Sequence, residues 1–322
     1  LRPSSRIQAF PGNICPGGRV NLASLVQDFS LLAVQVDFYD DDPAGAGQLL
    51  GSAAMNRGSA RITDKVFASP AVTTTYWVTG LTAQGCEQTQ SFVITVDTAC
   101  TALIAPVAML EGAFDTVTNM QRAVLQQKAL IPAMEPYTNL GYTFVGGGAE
   151  MMNLAAGFTG SIVDWVIVEL RDASDPRWIT YSRAGLLLDN GQIVDVDGVS
   201  QLTVTANPSK KYYMAVIHRN HLGIMTAQPV AMGAIIDFTN PSLAMYGVAN
   251  TRVIKNGKAL LYGGDADGNG QVQNTDDIIY WESTVGSSGY LKADYNLNGQ
   301  VQNTDRIWIW ELNVGRGTAV PR

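Results

Sequence analysis

The sequence predicts a mainly β chain in which two consecutive β-sandwich domains, residues 1–98 and 101–258, precede a small α-helical domain, residues 261–322, built on a duplicated loop. Three observations predict this. Short runs alternating polar and apolar residues recur between turn signals, as in strands with one buried face. Charged residues make up only 15% of the 322, against about 25% in ordinary soluble domains, while hydrophobic residues reach 46% and glycines number 32. A repeat with a 29-residue offset closes the chain. This is the composition of a secreted β protein more than of a cytosolic enzyme. With 21 Lys and Arg against 28 Asp and Glu, the net charge of −7 argues against a nucleic-acid partner, whose phosphates call for a positive excess. No run of about 18 apolar residues is present, so no membrane span is expected. The first residue is Leu1 with no basic-then-apolar leader, which reads as a processed chain or the end of a longer one.

In residues 1–98 the alternating runs are Arg19 to Leu22, Val34 to Phe38, Thr75 to Val78 and Ser91 to Val96. Several short strands at regular spacing suggest a sandwich of about 100 residues. Cys15 precedes the first of these runs and Cys86 sits in a turn between the last two. A Cys15–Cys86 disulfide would close a loop of about 70 residues and contribute about 4 kcal/mol in an oxidising compartment. The competing reading is two unpaired buried thiols. Cys100 is then left over, as a linker thiol or a link to another chain. Ile14 to Leu22, and Thr73 to Val78 running on to Gly85-Cys86, resemble the immunoglobulin-like (Ig-like) repeats of bacterial surface adhesins. The resemblance implies a spacer or adhesion module.

Residues 101–258 begin with the best helical stretch of the chain, Asn119 to Leu130, with apolar Met120, Val124 and Leu125 and a stop at Pro132. Strand patterns follow at Asp164 to Arg171, Gly185 to Leu188, Leu202 to Val204 and Tyr212 to Ile217, separated by turns such as Asp189-Asn190-Gly191. A second sandwich with a short helical insertion accounts for this. Leu110 to Asp115, Ile131 to Tyr137, Val163 to Asp172 and His218 to Gly223 resemble the module of large surface proteins labelled hemagglutinin-like, from Gram-negative bacteria that use the type IX secretion route. That resemblance implies an extracellular surface protein without defining its ligand.

The most specific signal is chemical. Asp265, Asp267, Asn269 and Asp276 place oxygen-bearing side chains at positions 1, 3, 5 and 12 of a loop with Gly270 at position 6, the pattern of an EF-hand-type loop around Ca²⁺. Calcium takes six to eight oxygens, and Gly270 allows the sharp turn that brings early and late ligands together. Gln271 offers its backbone carbonyl, and Val272 should point into the core and tie the loop to its twin. That twin supplies Asp294, Asn296, Asn298, the Gln300 carbonyl and Asp305. The segments 270–276 and 299–305 are identical, and Ile278/Ile307, Trp281/Trp310 and Glu282/Glu311 continue the register. Two copies of one loop-plus-helix unit, packed face to face, should therefore hold two Ca²⁺. The first loop has three carboxylates and the second two, so the second should bind more weakly. The stretch from Gly263 to Asp305 carries six Asp and one Glu against one Lys, which is most of the net charge of the chain. The pair resembles a type I dockerin, in which residues equivalent to Asn274-Thr275 and Asn303-Thr304 help recognise a cohesin partner. The following segments, Asp277 to Trp281 and Arg306 to Trp310, depart from that family in being more aromatic. Their aromatics are read as a core between the halves; an exposed Trp patch would instead mark a partner surface.

The remaining signals point to no chemistry. His218 and His221 read as a polar turn after a strand, since i and i+3 do not share a strand face. Gly146-Gly147-Gly148 lacks a following Lys-Ser or Lys-Thr and reads as a flexible turn. No spacing singles out an acid/base pair among Glu111, Asp164, Glu169 and Asp195. The expectation is thus a non-catalytic protein, secreted or at the cell surface, with structural calcium, acting in adhesion, matrix or filament building. Its partners would be copies of itself, other surface proteins or glycans. The alternative is a carbohydrate- or protein-binding accessory segment of a larger secreted hydrolase, docking through the dockerin-like end.

Overall fold

The computed structural model describes residues 6–247 and 251–321; Leu1 lies outside them. The chain is mainly β and divides into two compact units, residues 1–100 and 101–322. In the first unit a hydrogen-bonded path of eight strands runs Ile7–Ala9, Val26–Asp28, Ser59–Ala60, Leu49–Asn56, Ala33–Tyr39, Thr74–Thr82, Glu87–Val96 and Gly12–Ile14. Alternation along these strands sends Val36, Phe38, Tyr76, Val78, Phe92 and Ile94 into one core. The strand Leu49–Asn56 was not legible as one: only Ala53 of its residues is buried.

The expected Cys15–Cys86 pair does not form. The disulfide joins Cys15 to Cys100, with Cα atoms 5.7 Å apart, and Cys86 is a free, half-buried thiol. Strand pairing explains the partner. Glu87–Val96 runs parallel to Gly12–Ile14 with Val96 opposite Ile14, so the chain leaving that strand reaches Cys15. Cys86 sits at the other end of the same ten-residue strand, about 30 Å away at ~3.3 Å per residue. The bridge spans 85 residues, for which loop closure gives about 4–5 kcal/mol.

The second unit is built on an antiparallel sheet in the order Ile193–Val194, Asp175–Leu188, Ile162–Asp172, Lys211–Ile217 and Ile224–Met225. Ile162–Asp172 is buried on both faces. Val163, Val166, Val168 and Leu170 enter one core with Ile104, Leu110 and Leu202, while Trp165 and Ile167 enter another with Tyr137 and Leu186. The helical stretch expected over 119–130 shrinks to Val124–Gln127. Tertiary bonds override its propensity: Gln121 is drawn into a short strand, its Oε1 accepting from Leu110 N at 2.7 Å and its Nε2 donating to Leu188 O. Residues 261–321 pack within this same unit. Leu297 enters the main core, and Gly112 approaches the Tyr295 carbonyl so closely that a Cβ there would lie 1.8 Å from the oxygen.

Candidate metal centre

Each loop folds around its own carboxylates. In the first, Asp265 accepts from Gly270 N at 3.0 Å, Asp276 accepts from Asp267 N at 3.0 Å and Gln273 N at 2.8 Å, and Asn269 Oδ1 accepts from Gln271 N at 2.8 Å. In the second, Asp294 accepts from Gly299 N at 2.8 Å, Asp305 from Asn296 N and Gln302 N at 2.9 Å each, and Asn298 Oδ1 from Gln300 N at 2.8 Å. Gly270 and Gly299 have φ of 85° and 81°, the left-handed conformation that position 6 demands. Position 4 is Gly268 (φ 72°) in the first loop but Leu297 (φ 56°) in the second, where burial of the side chain offsets an unfavourable backbone. Asp265, Asp267 and Asp276 bring carboxylate oxygens within 4.8 Å of one another.

The two repeats are reciprocal. Trp281 Nε1 donates to Gln302 O at 3.1 Å and Trp310 Nε1 to Gln273 O at 3.2 Å. Val272 pairs with the turn at 315–316 and Val301 with the turn at 286–287, and both side chains are fully buried. The helical segments that follow the loops, Asp276–Trp281 with Glu282–Thr284 and Asn303–Asp305 with Arg306–Trp310 and Glu311–Asn313, bury Trp281 and Trp310 between the halves. Their outer faces differ from the all-internal reading: Trp308 is 65% exposed, and Ile278, Ile279, Ile307 and Leu312 are exposed with it.

The turn His218 to His221, expected to be merely polar, is buried and ties both loops to the sheet. Asn220 is its hub. Its Nδ2 donates to the carbonyls of Lys292 and Asp294, at 2.8 Å each, and its own carbonyl accepts from Gly264 N at 3.0 Å and Asp265 N at 3.2 Å. One residue thus fixes the first position of both loops. Around it, Asp164 accepts from His218 Nε2 at 3.1 Å, Arg219 Nε at 3.0 Å and Tyr290 OH at 2.5 Å. Gly112 N donates to His221 Nε2 at 3.2 Å, leaving the His221 proton on Nδ1, which donates to Asn220 Oδ1 at 2.8 Å. Both histidines are therefore neutral, in keeping with burial pushing their pKa down. Burial would raise the Asp164 carboxyl, but Arg219 and His218 outweigh it and hold the group at about 2. At the far side Glu111 accepts from Asn313 Nδ2 at 2.6 Å and pairs with Lys255 at 2.9 Å. The sequence gives no periodicity for such long-range polar pairs; the cluster His218 to Asn220 was the one available signal.

The loop carboxylates contrast with Asp164. Burial raises the Asp276 carboxyl, raises Asp294 to about 6, and raises Asp305 to about 7 with Asp294 adding to the effect. Negative oxygens are gathered here in a dry place with backbone donors that compensate them only partly. In the first loop Asp265, Asp267 and Asp276 are brought together, and in the second Asp294 and Asp305 each accept from N–H groups of their own loop. The other carboxylates weighed as acid/base pairs are engaged: Glu169 with Arg171 at 2.6 Å and Asp195 with Arg183 at 2.7 Å. Gly147 is packed and not loose, since a Cβ there would lie 2.4 Å from Ser182 O. No protein-family model matches the chain, and no curated protein matches it.

Proposed function

We propose that the chain is a non-catalytic extracellular structural or adhesion protein whose second unit is held by two calcium ions, one in each loop. The observation that carries the reading is the convergence of Asp265, Asp267 and Asp276 within 4.8 Å in a loop whose twin repeats its hydrogen bonding. Asp265, Asp267, Asn269, the Gln271 carbonyl and Asp276 would hold the first ion; Asp294, Asn296, Asn298, the Gln300 carbonyl and Asp305 the second. An oxygen-only donor set of this size suits a hard cation such as calcium. The ion supplies positive charge that offsets the buried carboxylates; the chain supplies the turns that present them. The disulfide and the low charge support secretion or display at the cell surface. The Ig-like, hemagglutinin-like and dockerin-like resemblances agree with attachment or assembly, with copies of the chain, other surface proteins or glycans as partners.

Calorimetry of the full chain in millimolar calcium and in EDTA tests this. Two ions at 100-fold excess over Kd stabilise by about 2.7 kcal/mol each. At about 2–4 °C per kcal/mol for a unit of this size, the transition of the second unit should rise by roughly 10–20 °C in calcium while that of the first stays in place. A profile unchanged by chelator would sink the proposal. The exposure of Trp308, Ile278, Ile279 and Leu312 on the helices that follow the loops favours a second reading, an accessory segment of a secreted hydrolase that docks through these helices. Filaments in electron micrographs of native material would favour the structural role; discrete particles that bind on a glycan array would favour the accessory one.

A further inference from the structure

In the first unit, the turn that joins the strands Val26–Asp28 and Ala33–Tyr39 carries three apolar side chains into solvent: Phe29 is 63% exposed, Leu31 67% and Leu32 38%. This turn is held firmly. The buried Asp28 carboxylate accepts from the N–H groups of Arg6, Ser30, Leu32 and Ala33 and from the Ser30 hydroxyl, and Phe29 N donates to Arg6 O at 3.0 Å. Leu31 has a φ of 60°, a left-handed conformation that disfavours any residue with a Cβ. Leu297 shares that conformation, but its side chain is buried and that of Leu31 is not, so packing does not account for leucine there. The hairpin beside it repeats the pattern. Asn56 pairs with Ser59 across Arg57 (φ 50°) and Gly58 (φ 82°), a two-residue turn with both central residues left-handed, where Asn-Gly is the favoured sequence. Arginine holds the first of these positions, and it too is exposed. The two turns meet: Gly58 O accepts from Asp28 N at 2.7 Å, and a Cβ on Gly58 would lie 2.5 Å from Leu31 Cδ2. An apolar turn is thus flanked by two exposed arginines, Arg6 and Arg57, while the acid of the next hairpin, Glu87, is separated from it by the strand Thr74–Thr82.

We propose that this end of the first unit inserts into the surface of a bilayer that contains anionic phospholipid. Phe29, Leu31 and Leu32 enter the boundary between headgroups and acyl chains, and Arg6 and Arg57 meet the phosphates. Residues that stand against backbone preference at two adjoining turns, with exposed side chains, are placed for a contact outside the chain. The size of the patch favours lipid over protein. Three side chains on one turn offer a few hundred Å², well short of the ~800 Å² that each side gives to a stable protein interface. The charge agrees: guanidinium groups suit phosphate, and in a bilayer the phosphates lie beside the apolar boundary, so one turn reaches both. The inference concerns the first unit alone and does not depend on the calcium loops.

Flotation of the full chain with vesicles of phosphatidylcholine and phosphatidylglycerol in equal parts, in millimolar calcium and again in EDTA, tests the proposal. Reversible binding is expected in both solutions, weaker by about fivefold or more on phosphatidylcholine alone and weaker at high salt. Leu31→Asn and Arg57→Asn each install a residue that tolerates the left-handed turn, so each should leave the Tm of the first unit unchanged or raise it. Vesicle binding should nevertheless fall about tenfold or more for Leu31→Asn and about fivefold for Arg57→Asn, the second loss disappearing at high salt. No binding to the anionic vesicles, or binding that neither substitution weakens, overturns the proposal. Binding seen only in calcium would place the contact at the loops and overturns it as well. A lower Tm in both variants would show that these residues serve the fold, which removes the ground for the inference. Self-association in sedimentation velocity that both variants abolish, with no vesicle binding, would make the turn a contact between copies and also overturns it.

Discussion

Substituting Asn220→Ala removes the two bonds to the Lys292 and Asp294 carbonyls and the one accepted from His221 Nδ1, which keeps His218 Nδ1 at 3.1 Å, but leaves the backbone carbonyl that holds Gly264 and Asp265. The effect should therefore fall unequally on the two loops. Asn220 is fully buried, so both carbonyls lose a donor where water does not readily replace it. At about 1–3 kcal/mol for a buried group left unsatisfied, and with some relaxation, the loss is about 2–4 kcal/mol. For the second unit that lowers Tm by roughly 5–15 °C in EDTA. The same loss frees the start of the second loop, so its calcium affinity should fall about tenfold or more while the first loop changes by less than about threefold, a tenfold change being ~1.4 kcal/mol. Isothermal titration with calcium, paired with melting curves in EDTA, reads both quantities. Equal weakening of the two sites, or a second site of unaltered affinity, would refute the assignment of Asn220 as the residue that positions the second loop.

Three further outcomes follow from the same geometry. Gly112→Ala puts a methyl group against Tyr295 O, so it should loosen the contact of the second loop with the sheet, lowering the Tm of the second unit by at least about 5 °C; a Tm within a degree of wild type would show that the approach is not tight. Asp276→Asn should abolish the tighter calcium step and Asp305→Asn the weaker one, because three carboxylates converge in the first loop and two stand in the second; titration finding the reverse order would contradict the charge argument. The stabilisation by calcium should grow with pH. Asp305, at 3.8 unfolded and about 7 folded, costs the cation-free fold about 4 kcal/mol once it is charged, and Asp294, at about 6, costs about 3, the two being coupled and not additive. Because these pKa values are raised, the cost is absent below about pH 4, develops between pH 4 and 7 and is complete above that. The difference in Tm between calcium and EDTA should therefore be small at pH 5 and large at pH 8, and a difference independent of pH would disprove it. Taking the difference cancels the opposite effect of His218 and His221, whose lowered pKa values destabilise the fold as pH falls below about 6.5 in both solutions.

The loops could be read from the chain because every requirement of such a turn is local. Position 6 must tolerate positive φ, positions 1, 3, 5 and 12 must carry oxygen, and position 8 must be apolar; twelve residues contain all of it, and the 29-residue offset repeats it in the same register. The strand patterns from Val34, Asp164, Leu202 and Tyr212 were legible for the same reason, and Leu49–Asn56 was not, because a strand with one buried residue leaves no alternation to see. What stayed hidden is pairing over long separations. Cys15 finds Cys100 through a parallel register between residues 82 apart in the chain, and nothing around either cysteine encodes it. Asn220 and Asp294 are 74 residues apart, and Gly112 needs to be glycine only because Tyr295 arrives beside it. These contacts determine whether the loops act as a separate tail or as part of the second unit. Since Leu297 lies in the main core and Asn220 grips the start of each loop, energy gained by binding an ion is gained by the whole unit. Calcium-dependent melting of the sheet Ile162–Asp172, followed by hydrogen exchange at Val166 and Val168, is therefore the sharper consequence of the fold: protection there should fall with chelation as steeply as protection in the loops themselves.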